Sequence, residues 1–350
     1  MALVRAQSNL SAVYSRYRAE LESTFRDSIP AGTIVPELYD FLRYHLGWLD
    51  ADLRPTNARA GKLIRPTLCL LSCEAVGGDY HRALPAAAAL ELLHNFSLIH
   101  DDIEDRGRER HGRATVFALW GEPLAVNAGD AMLILSEQAL LRAAKVGLTG
   151  DETLAMLEFL NASCLRLTEG QHLDLRLEGN PALTREQYLQ VVSGKTAALL
   201  GCSTQLGAMS GSAGPARADA FGQFGFNLGI GFQIQDDILG IWGDPDETGK
   251  ARAADVYGHK VTLPIIDALS TANASRAARI AEVYQSTSPT ESDVVEVVQL
   301  LDETGARGRA EAEAEAYVQV ALNCLASADP LPSPAADIVS IARALLGRRS

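Results

Sequence analysis

Two runs of carboxylates in this chain have the type and spacing to hold divalent cations. The first is Asp101-Asp102-Ile103-Glu104-Asp105, with Arg110-His111-Gly112-Arg113 close behind. The second is Asp236-Asp237-Ile238-Leu239-Gly240, followed by Asp244, Gly249-Lys250 and Lys260. Positions i and i+4 of a helix share a face, so Asp101 and Asp105 project together. Mg²⁺ takes one or two carboxylates and completes its octahedron with water and phosphate oxygens. The Lys and Arg behind each run are suited to those oxygens. The combination points to a metal and diphosphate site. A single acidic run can equally be a solvated helix face. Here, however, each run ends an apolar stretch, 92–100 and 229–235, where an unpaired carboxylate is costly. Two such runs, each with basic residues after it, favour the functional reading.

The elements that must carry these runs are helices. Apolar residues recur at three- and four-residue spacing, and alternating β-branched runs are nearly absent. The periodicity predicts helices over 8–28, 36–49, 64–76, 83–104, 127–144, 151–177, 184–209, 215–240, 262–269, 274–284, 291–304, 306–326 and 335–346. Asp151, Thr184 and Ser193 are expected at or near caps. Pieces bearing Pro and Gly separate the helices, as at Pro181, 211–215, 243–249 and 329–334. There is no internal repeat and no long linker, and two acidic runs far apart in the chain need one core to meet. Residues 1–350 are therefore expected to form a single large all-α domain.

The chain has 350 residues, 47% hydrophobic and 21% charged, enough to bury a large core. A formal charge of -13 speaks against nucleic-acid binding. It also means that metal ions and local Lys and Arg must draw in an anionic ligand. Five cysteines, Cys69, Cys73, Cys164, Cys202 and Cys324, sit among apolar neighbours, and no second Cys/His pair completes a zinc pattern. The N-terminal residues lack the apolar core of a signal peptide. No integral membrane segment is expected, because the apolar stretch 198–214 is broken by Gly, Ser, Thr and Gln. The chain reads as cytoplasmic.

Six short elements, in order, carry a resemblance. They are Gly61-Lys62-Leu63-Ile64-Arg65-Pro66, then His100-Asp101-Asp102-Ile103-Glu104-Asp105, then Gly170-Gln171-His172-Leu173-Asp174. Lys195-Thr196, Phe232-Gln233-Ile234-Gln235-Asp236-Asp237, and Gly249-Lys250 with Lys260-Val261-Thr262-Leu263-Pro264 complete the set. The chain resembles the trans-isoprenyl diphosphate synthases, the polyprenyl synthetase family, over most of its length. The resemblance implies a helical bundle around a central cavity, usually a homodimer, and head-to-tail prenyl transfer in isoprenoid biosynthesis. In that reaction three Mg²⁺ ions bind the diphosphate of an allylic substrate, its C–O bond ionises, and the double bond of isopentenyl diphosphate attacks the cation.

Carried over residue by residue, the resemblance makes Asp101, Asp105 and Asp236 metal ligands, with Asp102 and Asp237 as ligands or supports. Arg110, Lys195 and Lys260 would neutralise the leaving pyrophosphate, and Lys250 could close over it. Thr196 and Gln233 could turn oxygens toward the cation. Lys62, Arg65 and His94 would bind isopentenyl diphosphate. Two departures matter. His111 stands where the family commonly has a second Arg, with Arg113 nearby, and the second acidic run ends in Gly240, with Asp244 as a substitute carboxylate. Phe96 and Ser97 lie five and four positions before Asp101. In the resembling family an aromatic five positions before the motif goes with C20 products, so geranylgeranyl diphosphate is expected, with farnesyl diphosphate as runner-up. Two other readings use the same fold: a class I terpene synthase, and a regulatory subunit of a heteromeric synthase.

Overall fold

The computed structural model describes residues 2–30, 34–56, 63–245, 253–286 and 288–347. Among these the regular elements are helices, apart from one hairpin of two-residue strands. Lys62 and Lys250, with the glycines before them, lie outside the described residues. The chain forms two compact units. Unit 1 comprises Met1–Asn161, Ser203–Phe221 and Asp329–Ile338, and unit 2 comprises Ala162–Cys202, Gly222–Ala328 and Val339–Ser350.

Unit 1 holds α1 (Ala2–Ser28), α2 (Pro36–His45), α3 (Ile64–Ala75), α4 (Leu84–Glu104), α5 (Val116–Trp120) and α6 (Glu122–Leu141). Helix α4 is its axis, packed chiefly against α6 and α3. Pro85 starts it at a position where the missing N–H is no loss. Ala86 to Ala89 are wholly buried, and such small side chains let neighbouring helices approach closely. Helix α6 begins earlier than its periodicity suggests, at Glu122, because Pro123 sits in its first turn. The stretch Glu122–Lys145 is long and apolar enough to cross a bilayer, unlike the 198–214 run. Its Ala125, Ala128, Met132, Leu135, Ala139 and Leu140 are nevertheless packed in the core of unit 1.

After α4 the chain turns back through β1 (Glu109–Arg110) and β2 (Arg113–Ala114), an antiparallel pair with Arg110 opposite Arg113. His111 and Gly112 make the turn, with φ of 52° and 71°. Two consecutive positive φ values are the type I′ geometry that suits a two-residue hairpin. No run of alternating residues announces so short a ribbon.

Unit 2 contains the C-terminal part of α7 (Gly150–Leu177), then α8 (Arg185–Val192), the start of α9 (Ala198–Ser210), and α10 (Pro215–Trp242) from Gly222 onward. It continues through α11 (Ala254–Tyr257), α12 (Leu263–Thr271), α13 (Ala274–Gln285), α14 (Glu291–Thr304) and α15 (Ala306–Ser327). The last helix, α16 (Pro332–Leu346), ends in it. Its core is built from Ile234, Ile238, Ile241, Val256, Ile265, Ile280, Val297 and Leu301, among others. Thr184 caps α8 in a reciprocal box with Gln187, as expected. Ser193 is the C-cap of α8. It opens a π turn, Ser193–Ala197, that joins α8 to α9 without a break. The turn passes close to α7: a Cβ on Gly170 would lie 2.2 Å from the Lys195 nitrogen, so only glycine fits there. No disulfide joins the five cysteines.

Candidate active site

In unit 1 the last turn of α4 carries Asp101, Asp102, Glu104 and the C-cap Asp105, with no basic residue within that turn. Negative charge at the negative end of a helix is unfavourable unless a cation answers it. The two aspartates of the pair differ. Asp101 is half-buried and Asp105 exposed, whereas Asp102 is 4% exposed. Asp102 Oδ1 accepts from Arg110 Nε at 2.8 Å and lies 2.8 Å from Nη2. Burial raises the Asp102 pKa, against the pull of Arg110.

The hairpin sets the second basic group. Arg110 and Arg113 are cross-strand partners, so their side chains leave the same face of the ribbon. Like charges placed so repel, and each guanidinium is held by its own anchor. Arg110 takes Asp102. Arg113 lies over the Tyr44 ring, 4.3 Å from its centre, and donates to the Leu49 carbonyl at 2.8 Å. Tyr44 also donates to the Ala114 carbonyl at 2.6 Å, tying the ribbon to α2. These arginines, with His45, His94 and His111, line a cavity of about 220 Å³ that also touches Glu91, Asn95 and Asp102.

Arg65, at the start of α3, sits beside Glu91, and burial lowers its pKa while Glu91 opposes the fall. Its Nε is buried without a hydrogen-bond partner. Asn95 donates to the Glu91 carboxylate at 3.1 Å. Burial, reinforced by Arg65 and Arg110, drives the His94 pKa well down. Burial and Arg110 likewise push His45 down to about 3. Both imidazoles are therefore neutral near pH 7, and the positive charge of the cavity comes from guanidinium groups. His111 itself is exposed in the turn. Sequence reading missed His45, which has no motif around it, and left the reach of Arg113 open.

Phe96 is buried and meets His100 edge-on, with ring centres 5.0 Å apart. His100 in turn lies against the bare Cα of Gly129 on α6, where a Cβ would come within 2.1 Å of its Nε2. Ser97 is half-buried, its hydroxyl donating to the His94 carbonyl at 2.8 Å.

In unit 2 the side chains of the other motifs form one connected network. Thr196 donates to Gln233 Oε1 at 2.7 Å, and Gln233 Nε2 donates to Asp237 Oδ1 at 3.0 Å. Tyr188 donates to Asp237 Oδ2 at 2.7 Å, and Lys260 Nζ stands 3.4 Å from Oδ1. Asp237 is 1% exposed, whereas Asp236 is half-buried. Lys195 pairs with Asp174 at 2.7 Å. The pKa of Lys260 is raised, first by Asp237 and then by Asp255, Asp174 and Asp236. Tyr188, seven positions before Lys195 and unremarkable in sequence, is a further member that sequence reading missed. Asp244 is exposed, and the carboxylate lying against Gly240 is that of Asp255.

The donor set is the one that a hard cation prefers: carboxylate oxygens, with neither thiolate nor imidazole among the aspartate runs. Among the described residues no group of three His, Cys, Asp or Glu side chains could hold an ion unaided. That fits Mg²⁺, which draws most of its ligands from water and substrate phosphates.

Residues 47–301 match the family model described as polyprenyl synthetase. Over 308 residues the chain is 39% identical to a geranylgeranyl diphosphate synthase of Mycobacterium tuberculosis, covering 87% of this chain and 85% of that protein. Over 323 residues it is 35% identical to a (2E,6E)-farnesyl diphosphate synthase of the same species, covering 91% and 89%. Among solved structures, a polyprenyl synthetase from Streptomyces coelicolor superposes with a TM-score of 0.89 at 31% identity, over 96% of this chain and 99% of that one.

Proposed function

We propose a specific reaction for this chain, which belongs to the polyprenyl synthetase family and is a prenyltransferase of isoprenoid biosynthesis. It condenses isopentenyl diphosphate with an allylic diphosphate, and its main product is geranylgeranyl diphosphate. The observation that carries the reading is the guanidinium-lined cavity of unit 1. Arg113 and neutral His94 line it, and Arg65, whose charge acts on His94 and whose Nε is buried without an acceptor, stands near; together they suit the diphosphate of isopentenyl diphosphate. Arg113 supplies there the second guanidinium that His111 does not. A terpene synthase has no use for such a site, and a regulatory subunit would tend to lose the aspartates that this chain retains.

Asp101 and Asp105 in unit 1, and Asp236 in unit 2, would each offer carboxylate oxygens to Mg²⁺, of which the family resemblance implies three ions with an allylic diphosphate. The bound metal supplies positive charge against which the C–O bond can ionise. Arg110, Lys195 and Lys260, with Lys250, neutralise pyrophosphate as its charge grows in the transition state. Thr196 and Gln233 turn their oxygens toward the allylic cation. Asp102 and Asp237, with their oxygens engaged by Arg110, Tyr188 and Gln233, support the ligands beside them. The proton lost after attack passes to pyrophosphate.

Phe96 sets product length, with the growing tail running back along α4, and Ser97 leaves room for it near the metal. The names of the relatives divide between the two products, so length is the part to test. Purified protein with Mg²⁺, isopentenyl diphosphate and each allylic diphosphate in turn should give a C20 diphosphate by mass. Phe96→Ala should lengthen it and Ser97→Phe should shorten it. Hydrocarbon formed without isopentenyl diphosphate would overturn the reading in favour of a terpene synthase. The exposed Leu124, Val126, Ile134 and Leu141 of α6 support a homodimer, and light scattering at twice the chain mass is the expected result. We take the cytoplasm as the chain's compartment.

A further inference from the structure

Gly129 lies inside α6 with an ordinary helical backbone. Glycine there is destabilising relative to alanine, and no positive φ calls for it. Its neighbour on α4 supplies the reason. A Cβ on Gly129 would lie 2.1 Å from His100 Nε2, 2.2 Å from Cδ2 and 3.1 Å from Cε1. The His100 ring fills the space that any side chain at 129 would need.

The same ring meets α6 at two further points. His100 Nε2 stands 3.4 Å from the Val126 carbonyl oxygen and 3.7 Å from Asp130 Oδ1. Residues 126, 129 and 130 adjoin on one side of a helix, so together they frame a seat for the imidazole. On α4, His100 follows Phe96 by four positions, and the two side chains share a face. Their rings meet edge to face, with centres 5.0 Å apart. Phe96 is 8% exposed, whereas the His100 side chain is 28% exposed. The imidazole is thus a wedge between α6 and Phe96, and its way out is toward solvent.

We propose that Gly129 is a specificity-determining residue for product length: its bare Cα seats His100 against α6, and His100 in that seat fixes the Phe96 ring across the path of the growing tail. This rests on the reading of Phe96 given above. Gly129 and His100 are positioning residues, acting through Phe96 without touching the tail. A methyl group at 129 would turn His100 outward. Phe96 would then lose the ring on its flank and gain the space left there, and the tail would run further.

The test is product analysis by mass, using the whole purified chain with Mg²⁺, isopentenyl diphosphate and geranyl diphosphate. The quantity read is the ratio of longer products to the parent's main product, with circular dichroism to verify the fold of each variant. Gly129→Ala and His100→Ala should each raise that ratio about 2- to 10-fold, the bias that one aromatic contact gives between two ring positions. In a Phe96→Ala background Gly129→Ala should add no further shift. Loss of packing alone would lower the amount of folded protein and leave the ratio where it was. Should Gly129→Ala not fold, His100→Ala carries the test. An unchanged or shortened product from the folded variants would overturn the proposal, as would an equal shift in the Phe96→Ala background. Phe96→Ala separates the two levels. If it lengthens the product while Gly129→Ala and His100→Ala do not, only the seat falls; if it does not either, the reading of Phe96 falls as well.

Discussion

The two acidic runs solve the same problem by different means. Each begins with a pair of aspartates, the first more open and the second buried: Asp101 and Asp102 in unit 1, Asp236 and Asp237 in unit 2. Asp102 is satisfied by a single cation, with Arg110 directing two of its nitrogens at one oxygen. Asp237 divides its two oxygens among a phenol, an amide and an ammonium group. The Arg110 side chain is 30% exposed at the edge of a hairpin, whereas Tyr188 is 4% exposed in a core. Equal motifs are thus unequal in support. One buried aspartate depends on a charge near solvent, the other on a network that the core holds in place.

The contrast within each pair should show most strongly in turnover. Asp101→Ala and Asp236→Ala each remove an open oxygen donor and should lower kcat by more than about 10²–10³, the effect of losing one preorganised electrostatic contact. Both variants should still unfold in one cooperative transition, since both side chains are only half-buried. Steady-state kinetics beside a thermal melt decides this. A variant that keeps parental turnover would remove its aspartate from the site.

The contrast between the buried members should show in stability. Asp237→Ala strands the hydroxyl of Tyr188 and the amide of Gln233, and each buried group left unpaired costs about 1–3 kcal/mol. We expect a loss of about 3 kcal/mol by denaturant unfolding, near the sum of two such groups. Asp102→Ala leaves Arg110 free to turn to water and should cost about half as much. Equal losses would mean that the two supports are equivalent after all. Tyr188→Phe, which removes one hydrogen bond to a carboxylate, should cost about 1.5–3 kcal/mol.

Most of this frame is legible in the sequence, because helix periodicity and motif order both act over many residues. The all-α class, the helix boundaries near α3, α4 and α14, and the two aspartate runs come from patterns of that kind. What escapes is set by a few atoms. The His111-Gly112 turn aims both arginines, yet four residues of ribbon leave no alternation to read. The π turn at Lys195 depends on how near Gly170 of α7 comes to Gly194, a tertiary distance that no spacing encodes. His45 and Tyr188 look like ordinary amphipathic helix residues until their partners, Asn95 and Asp237, are brought to them by the fold. Asp255 is likewise invisible as the neighbour of Gly240, since α11 is a single turn.

The hairpin offers a finer test, because it decides which basic residue serves the unit 1 cavity. Arg113→Ala should raise the KM for isopentenyl diphosphate about 10- to 100-fold, the equivalent of a charged hydrogen bond of about 1.5–3 kcal/mol. The KM for the allylic diphosphate should change little. His111→Ala should move both values less than threefold, though some stability is lost at the turn. The opposite ranking would return the role to His111.

Protonation separates the two runs in a last and smaller way. The groups on Asp237 include no imidazole, whereas the cavity beside Asp102 has neutral His45 facing Arg110, Arg113, His111 and Asn95. A base whose pKa falls from 6.5 in the unfolded chain to about 3 on folding binds its proton more readily when unfolded. Between those values the unfolded state carries more protons, so stability rises with pH and is lost as pH falls below 6.5. One such group contributes up to about 1.4 kcal/mol for each pH unit. Glu91 and Asp102 act oppositely over part of this range, because their raised pKa values make the folded chain the better proton binder there. The parent curve alone therefore mixes signs, and the informative quantity is the difference between parent and His45→Gln. Denaturant unfolding at pH 7.5 and pH 5 should show the variant losing about one proton's worth less stability than the parent over the interval below 6.5. Parallel curves would mean that His45 is as readily protonated in the folded chain as in the unfolded one, and that the cavity is more open to water than its lining suggests.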